Sequence, residues 1–268
     1  MNESCLIIDK PIGPTSFDIV RVVKRLACGA KVGHTGSLDP FASGVLVLLL
    51  GRATKLSHAL LNADKRYRAT MKLGECTDSM DRTGKITETK DVPKFTFEDI
   101  QAKLAEFKGT WMQTPPMFSA KKQNGVRLYE LARKNISVDR EPIAVNLYEM
   151  KLLSYEGPII KFEVHCSKGT YIRSLADEIG RRLGTVAHLA ELRRLSCGAF
   201  NIEEAVTVEN LTENFPELAV KGYQNYIKLL RSEGVVRRAP APIGSSGHFP
   251  GNNPGLQRPV NSGNSLLN

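Results

Sequence analysis

At 268 residues with 41% hydrophobic content, the chain is long enough to bury a sizeable core as one large domain or two modest ones. No apolar run approaches the length of a bilayer span, and the start MNESCLIIDK lacks the basic region and apolar core of an export signal, so a soluble, cytoplasmic protein is expected. The formal charge of +9, spread along the whole chain, favours an extended polyanion such as nucleic acid over a small acidic ligand.

Cys5 to Asp9 reads as a short apolar strand, and Lys10-Pro11-Ile12-Gly13-Pro14-Thr15-Ser16 as a turn full of breakers. A helix follows: Thr15 and Asp18 have capping-box spacing, and Phe17, Ile19, Val20, Val23 and Leu26 supply a mostly apolar face. Val45 to Leu50 reads as a buried strand, Ala53 to Leu61 as a helix, and Lys65 to Leu73 as a strand with Tyr67, Ala69, Met71 and Leu73 on one face. Thr96 with Asp99 caps a helix running to about Phe107, and Gly109 to Gln113 is a short strand. Pro115 and Pro116 interrupt regular structure before a helix carrying Leu128, Leu131 and Ala132. Ile143 to Ser154 and Ile159 to Cys166 form a hairpin about Glu156-Gly157-Pro158. Thr170 is expected to cap a helix that buries Ile172, Leu175, Ala176 and Ile179 and is closed by Gly184. Ala187 to Leu195 leads into a strand around Gly198 to Ile202. From Ser232 the composition turns to Gly, Ser, Pro and Asn, so 232–268 is expected to be a disordered tail behind a catalytic domain of residues 1–231.

The stretch GHTGSLDPFASGVLVLLLG, from Gly33 to Gly51, holds one carboxylate, Asp39, on a glycine-rich turn backed by an apolar strand. Pro40 biases Asp39 towards extended backbone and removes the next donor, which leaves the carboxylate free to face a ligand. A structural Asx-Pro turn would have the same composition. Arg173 falls in the first turn of its helix, where the macrodipole disfavours a cation, so an anion is expected beside it: an RNA phosphate or a carboxylate. The five cysteines, Cys5, Cys28, Cys76, Cys166 and Cys197, are odd in number and lack a Cys-x-x-Cys pair, which points to reduced thiols. The histidines have no zinc-binding spacing; His188 and Glu191 would share a helical face, and no metal is expected.

His-Thr-Gly-Ser-Leu-Asp-Pro followed by a small-residue step into an apolar strand resembles the catalytic motif of the TruB family of tRNA pseudouridine synthases. Three further segments resemble family motifs in order: Lys10-Pro11-x-Gly-x-Thr-Ser, KRYRATMKLGECTDSMDRTG and CSKGTYIRSLADEIGRRLG. A PP-x-x-SA-x-K segment from Pro115 is similar to the family's mobile RNA clamp, expected here at about 115–135. The resemblance covers Lys10 to about Phe200 and fades beyond Leu211; a C-terminal RNA-binding PUA domain, common in the family, has no counterpart in the remaining sequence.

The resemblance implies a mixed α/β pseudouridine synthase fold, a largely antiparallel central sheet flanked by helices with the clamp inserted. It implies Asp39 as the one indispensable catalytic residue, Tyr67 stacked on the target base, and Arg173 paired with Asp39, holding its carboxyl below the usual carboxylate range and ionised. Lys10, Pro11, His34, Tyr171, Leu192 and Lys121 would contact or surround the substrate, with His34 filling the opened loop and Leu192 lining the base pocket. Arg193 and Arg194 are candidates for backbone phosphate. The implied reaction isomerises the T-loop uridine of tRNA at position 55, with no cofactor, no membrane and no protein partner, by a monomer. A guide-dependent enzyme acting on ribosomal RNA, and an RNA chaperone that opens the tRNA elbow, are the alternatives.

Overall fold

The structure is a computed structural model that describes residues 3–232. In chain order the strands are β1 (Glu3–Lys10), β2 (Val32–His34), β3 (Ser43–Gly51), β4 (Lys65–Leu73), β5 (Glu75–Thr77), β6 (Ile86–Thr89), β7 (Gly109–Gln113), β8 (Lys122–Gln123), β9 (Val126–Arg127), β10 (Ile143–Glu156), β11 (Ile159–Cys166), β12 (Ala187–Cys197) and β13 (Phe200–Asn201). The helices are α1 (Ser16–Leu26), α2 (Ser57–Asn62), α3 (Phe97–Ala105), α4 (Leu128–Ala132), α5 (Ile172–Arg182), α6 (Val208–Glu213) and α7 (Phe215–Ser232), and a 3₁₀ turn at Arg52–Leu56 precedes α2. The tail expected over 232–268 lies outside the described residues but for Ser232, which ends α7.

The main sheet runs β1-β3-β12-β4-β11-β10-β7, antiparallel at every step except β3 to β12. The expected mixed fold with a largely antiparallel sheet is what forms. Burial explains the two sequence patterns. β1 and β3 are covered on both faces: Leu6, Ile8, Leu46 and Leu48 pack with Ile19, Val20 and Val23 of α1, while Cys5, Ile7, Val45, Val47 and Leu49 pack with Leu60 and Phe200. A strand buried on both sides carries an unbroken apolar run, as Val45 to Leu50 does. β4 and β11 carry their apolar side chains on one face, so Tyr67, Ala69, Met71 and Leu73 alternate with the polar Arg66, Arg68, Thr70 and Lys72, of which only Thr70 is buried, and meet Ile172, Leu175 and Ile179 of α5.

Three local expectations are corrected. The segment from Ala187 to Cys197 is a strand, so His188 and Glu191 share no helical face; His188 is buried against the carbonyl of Glu75 while Glu191 is exposed and accepts from Thr70. The N-cap of α5 is Tyr171, which makes no side-chain cap, and the Thr170 hydroxyl instead donates to the Ser167 carbonyl at 2.9 Å. Phe17 does not join the buried face of α1; it is 60% exposed, because it falls off the helical stripe formed by Ser16, Ile19, Val20 and Val23.

The fork between β3 and β12 positions the site. β12 lies parallel to β3 only at Ser43 and Gly44, while β2 takes the same edge further along, opposite Leu48 to Leu50. The connection from His34 to Ser43 must therefore leave the sheet plane, and it buries Leu38, Phe41 and Ala42 in the core shared with Tyr67 and Leu192. Gly44 makes this crossing possible. Its φ is +104° and a methyl group there would overlap the carbonyl of Arg194. Gly44→Ala is expected to cost on the order of 3 kcal/mol, combining left-handed strain with a backbone collision; urea titration measures it, and a loss below about 1 kcal/mol would contradict this packing.

Candidate active site

Asp39 sits at the tip of the crossing turn, and four sets of contacts fix that turn from different directions. The Ser16 hydroxyl at the start of α1 accepts from the Leu38 amide at 2.8 Å and lies 3.1 Å from the Leu38 carbonyl. The Gly13 amide donates to the Pro40 carbonyl at 2.8 Å, and the Ala42 amide to the Asp39 carbonyl at 3.1 Å. Arg194, reaching across from β12, donates from Nε to the Val45 carbonyl at 2.6 Å and from Nη2 to the Gly36 carbonyl at 3.1 Å, with Nη1 3.5 Å from the Ser37 carbonyl. The fourth contact is on the carboxylate itself.

Arg173 places Nε 3.0 Å from Asp39 Oδ2 and 3.8 Å from Asp81 Oδ2. Its Nη1 donates to the Ser79 carbonyl at 3.0 Å and its Nη2 to the Phe118 carbonyl at 2.8 Å. One guanidinium thus ties the Asp39 turn, the 79–81 loop and the 114–119 segment to the first turn of α5, where backbone amides would otherwise repel it. Arg173 is 5% exposed, whereas the Asp39 side chain keeps 40% of its surface open. A fixed, desolvated cation beneath a partly open carboxylate leaves the second carboxylate edge free for a ligand.

The electrostatic expectation for Asp39 is corrected. Desolvation by the surrounding wall pushes its carboxyl above the ordinary carboxylate value; Arg173 opposes that rise, Asp81 adds to it and Lys10 works against it. Burial outweighs the ion pair. Tyr67 is buried and desolvation pushes its hydroxyl up to about 12, with the Arg194 guanidinium working the other way.

The remaining candidates fall at different depths. Leu192 is buried directly opposite Ala69 in the β12–β4 register and shares the cluster of Tyr67 and Leu38. His34 is half-buried, held below its usual range by desolvation and by Arg194, and its Nδ1 has no hydrogen-bond partner. Tyr171 is half-buried and pushed up by desolvation, with Ser119 and Arg173 opposing. Pro11 is exposed, and Lys121 is half-buried two residues past Ser119 in the 114–127 segment. Lys10 differs from its expected substrate-facing position: it is fully buried, its Nζ donating at 2.8 Å to both the Pro11 and Pro14 carbonyls, and burial lowers its pKa to about 8. Lys10 therefore shapes the 11–14 turn that braces Pro40.

Arg193 and Arg194 also depart from the phosphate-contact expectation. Arg193 pairs with Asp9 at 2.7 Å, and Arg194 is 2% exposed inside the turn it frames. Sequence reasoning missed Ser16 and Asp81 and gave Arg194 a phosphate contact instead of its place inside the turn. For Arg194 one signal existed: on a strand it shares parity with buried Leu192 and Ser196.

The same architecture occurs in a chain of the "Crystal Structure of a Cbf5-Nop10-Gar1 Complex", with a TM-score of 0.63 and 33% identity over 84% of this chain and 58% of that one. A chain in the "Structure of H/ACA RNP bound to a substrate RNA containing 2'-deoxyuridine" gives 0.59 and 29%, over 87% of this chain and 56% of that one. The fold is of the pseudouridine synthase class. The family described as "TruB family pseudouridylate synthase (N terminal domain)" matches residues 24–172, and "tRNA pseudouridylate synthase B C-terminal domain" matches 173–227, past the point where the resemblance fades by eye. Proteins described as tRNA pseudouridine synthase B are 48% identical over 211 residues in Bordetella avium, covering 78% of this chain and 86% of that protein, and 44% identical over 225 residues in Clostridium tetani, covering 84% and 78%. The Aeromonas salmonicida protein of that description is 48% identical over 206 residues, covering 77% of this chain and 64% of that protein, so the chain spans less than two thirds of its length. The chain belongs to the TruB family of pseudouridylate synthases.

Proposed function

We propose that this chain isomerises the T-loop uridine of tRNA, position 55, to pseudouridine, acting in the cytoplasm as a monomer without a protein partner. The observation that carries the reading is the Asp39–Arg173 pair: a carboxylate fixed in direction at 3.0 Å, with one edge open. The reaction breaks the bond from uracil N1 to ribose C1', turns the base, and joins C5 to C1'; the C5 proton is lost and N1 gains one, so nothing is oxidised or reduced. Glycosidases need a general acid besides their carboxylate because an alkoxide leaves poorly. Uracil departs as a delocalised anion, and one ionised carboxylate suffices.

In this reading Asp39 adds to C1' or removes a C2' proton, and Arg173 holds its direction. Tyr67 stacks on the uracil. Leu192 and the apolar wall around it hold the detached base while it turns and keep water from the sugar. The uridine leaves its stack to enter, with His34 and Tyr171 at the opening, while the 115–135 segment with Lys121 closes on the arm and Pro11 borders the rim. Lys10 contributes from behind, by shaping the turn that holds Pro40.

The test is incubation of the purified chain with an unmodified tRNA transcript, followed by site-resolved pseudouridine mapping. Conversion at the T-loop uridine alone supports the reading. The likeness to chains in H/ACA assemblies favours the guide-dependent alternative, which conversion of a bare T arm without guide RNA would exclude. The chaperone alternative predicts tRNA refolding by a variant that cannot isomerise.

The pH dependence follows from the site. Asp39 acts ionised, and desolvation raises its pKa. Activity should therefore fall on the acid side with a midpoint above the ordinary carboxyl value of 3.8, rather than below it as an exposed ion pair would give. Single-turnover rates against pH measure this, and a midpoint below 3.8 would contradict the desolvation argument.

A further inference from the structure

Among the described residues the outer face of α1 is exposed, and it ends at the catalytic turn. Phe17, Arg21 and Lys24, spaced four and three residues apart, lie on one stripe of this helix and are all exposed. Phe17 follows Ser16, whose hydroxyl contacts the Leu38 backbone, and Gly13 holds the Pro40 carbonyl, so the tip of the stripe is braced on both sides of Asp39. Beside it Ile12 is 54% exposed. Phe17 is 60% exposed and joins none of the hydrophobic clusters of the fold among the described residues. The Arg21 guanidinium sits 5.4 Å from the centre of the Phe17 ring, so the cation and the aromatic face are presented together.

We propose that this stripe is an RNA-binding ledge: Phe17 stacks on an unpaired nucleotide next to the one that enters the site, and Arg21 and Lys24 follow the phosphates leading away from it. The proposal rests on the RNA-isomerase reading above and extends it to a surface outside the cleft. Charge complementarity selects RNA as the occupant. Lys24 faces no carboxylate within ion-pair distance among the described residues, while Arg21 pairs with Asp18 Oδ1 at 2.6 Å and keeps most of its side chain exposed. Along the helix, Phe17 to Lys24 spans about 10 Å, enough for an aromatic platform followed by successive backbone phosphates. The outer face of the main sheet differs: there Arg66 pairs with Glu149 and Arg68 with Glu163, which neutralises it.

The ledge is tested by equilibrium binding of an unmodified T-arm stem-loop transcript across a salt series, on the full chain and its variants. Phe17→Ala should weaken binding about tenfold with the salt slope of the unsubstituted chain, since stacking is sequence-tolerant and uncharged. Arg21→Gln and Lys24→Gln should each reduce the slope of log affinity against log salt by about 1. Lys151→Gln, which removes the same charge from the outer sheet face, should leave the slope alone. The inference is overturned if Phe17→Ala binds within twofold, or if Lys151→Gln lowers the slope as much as Lys24→Gln does. Loss of the uridine conversion in the unsubstituted chain would overturn the functional reading instead, and the binding series would still report on the ledge.

Discussion

Asp39→Asn should reduce isomerisation of the T-loop uridine by at least about 10³-fold, a loss of about 4 kcal/mol of transition-state stabilisation. Asparagine has the same shape and still accepts a hydrogen bond from Arg173, but it can neither add to an electron-poor carbon nor take a proton. RNA affinity should stay within a few-fold, because phosphate contacts dominate it and none of them needs this carboxylate. Stability should change little. The raised carboxyl means the folded chain binds a proton more readily than the unfolded one, so its ionisation weakens the fold as pH rises through that window. Removing the charge removes that penalty, which offsets the lost ion pair, and Arg173 retains the Ser79 and Phe118 carbonyls and Asp81. Thermal melts should therefore agree within about 4 °C. Retention of a tenth or more of the isomerase rate, measured with a correctly melting variant, would sink Asp39 as the reacting group.

Much of this site is written locally. The capping boxes of Thr15 with Asp18 and Thr96 with Asp99 form as their spacing requires, and the apolar run from Val45 to Leu50 is buried because both faces of its strand are covered. The helix-start position of Arg173 requires only an anion beside it; that the anion is Asp39, far away in sequence, is what the family resemblance implies, and the pair forms at 3.0 Å. What escaped is what depends on tertiary burial. The direction of the Asp39 shift is set by how much wall surrounds it, which no motif states. Lys10 and Arg194 read as substrate cations in a basic sequence, yet both are swallowed by the loops they support, and only the backbone carbonyls there explain why a charge is tolerated. Phe17 errs the other way, an apolar residue left outside.

Arg194 carries the second large effect, and its loss should damage fold and activity together. It is among the largest fully buried side chains and makes no ion pair within 4 Å among the described residues; it donates to the carbonyls of Gly36, Ser37 and Val45, and its guanidinium also acts on the Tyr67 hydroxyl. Arg194→Met keeps the stem and removes the fork, leaving three carbonyls short of donors, two of them on the turn that carries Asp39. The expected cost is about 3 to 5 kcal/mol by urea titration, with a further loss of rate in the molecules that remain folded. Arg194→Lys should not rescue it, since one ammonium cannot reach carbonyls on both ends of the turn as a planar fork does. Arg193→Ala is the control: its pair with Asp9 is partly exposed, and removal should cost less than about 1 kcal/mol. Equal effects at the two positions would mean that the turn is held mainly by Ser16 and Arg173. A selective collapse at Arg194 would show that the rigidity aiming the carboxylate originates in a buried cation on the neighbouring strand, which holds the turn through its backbone.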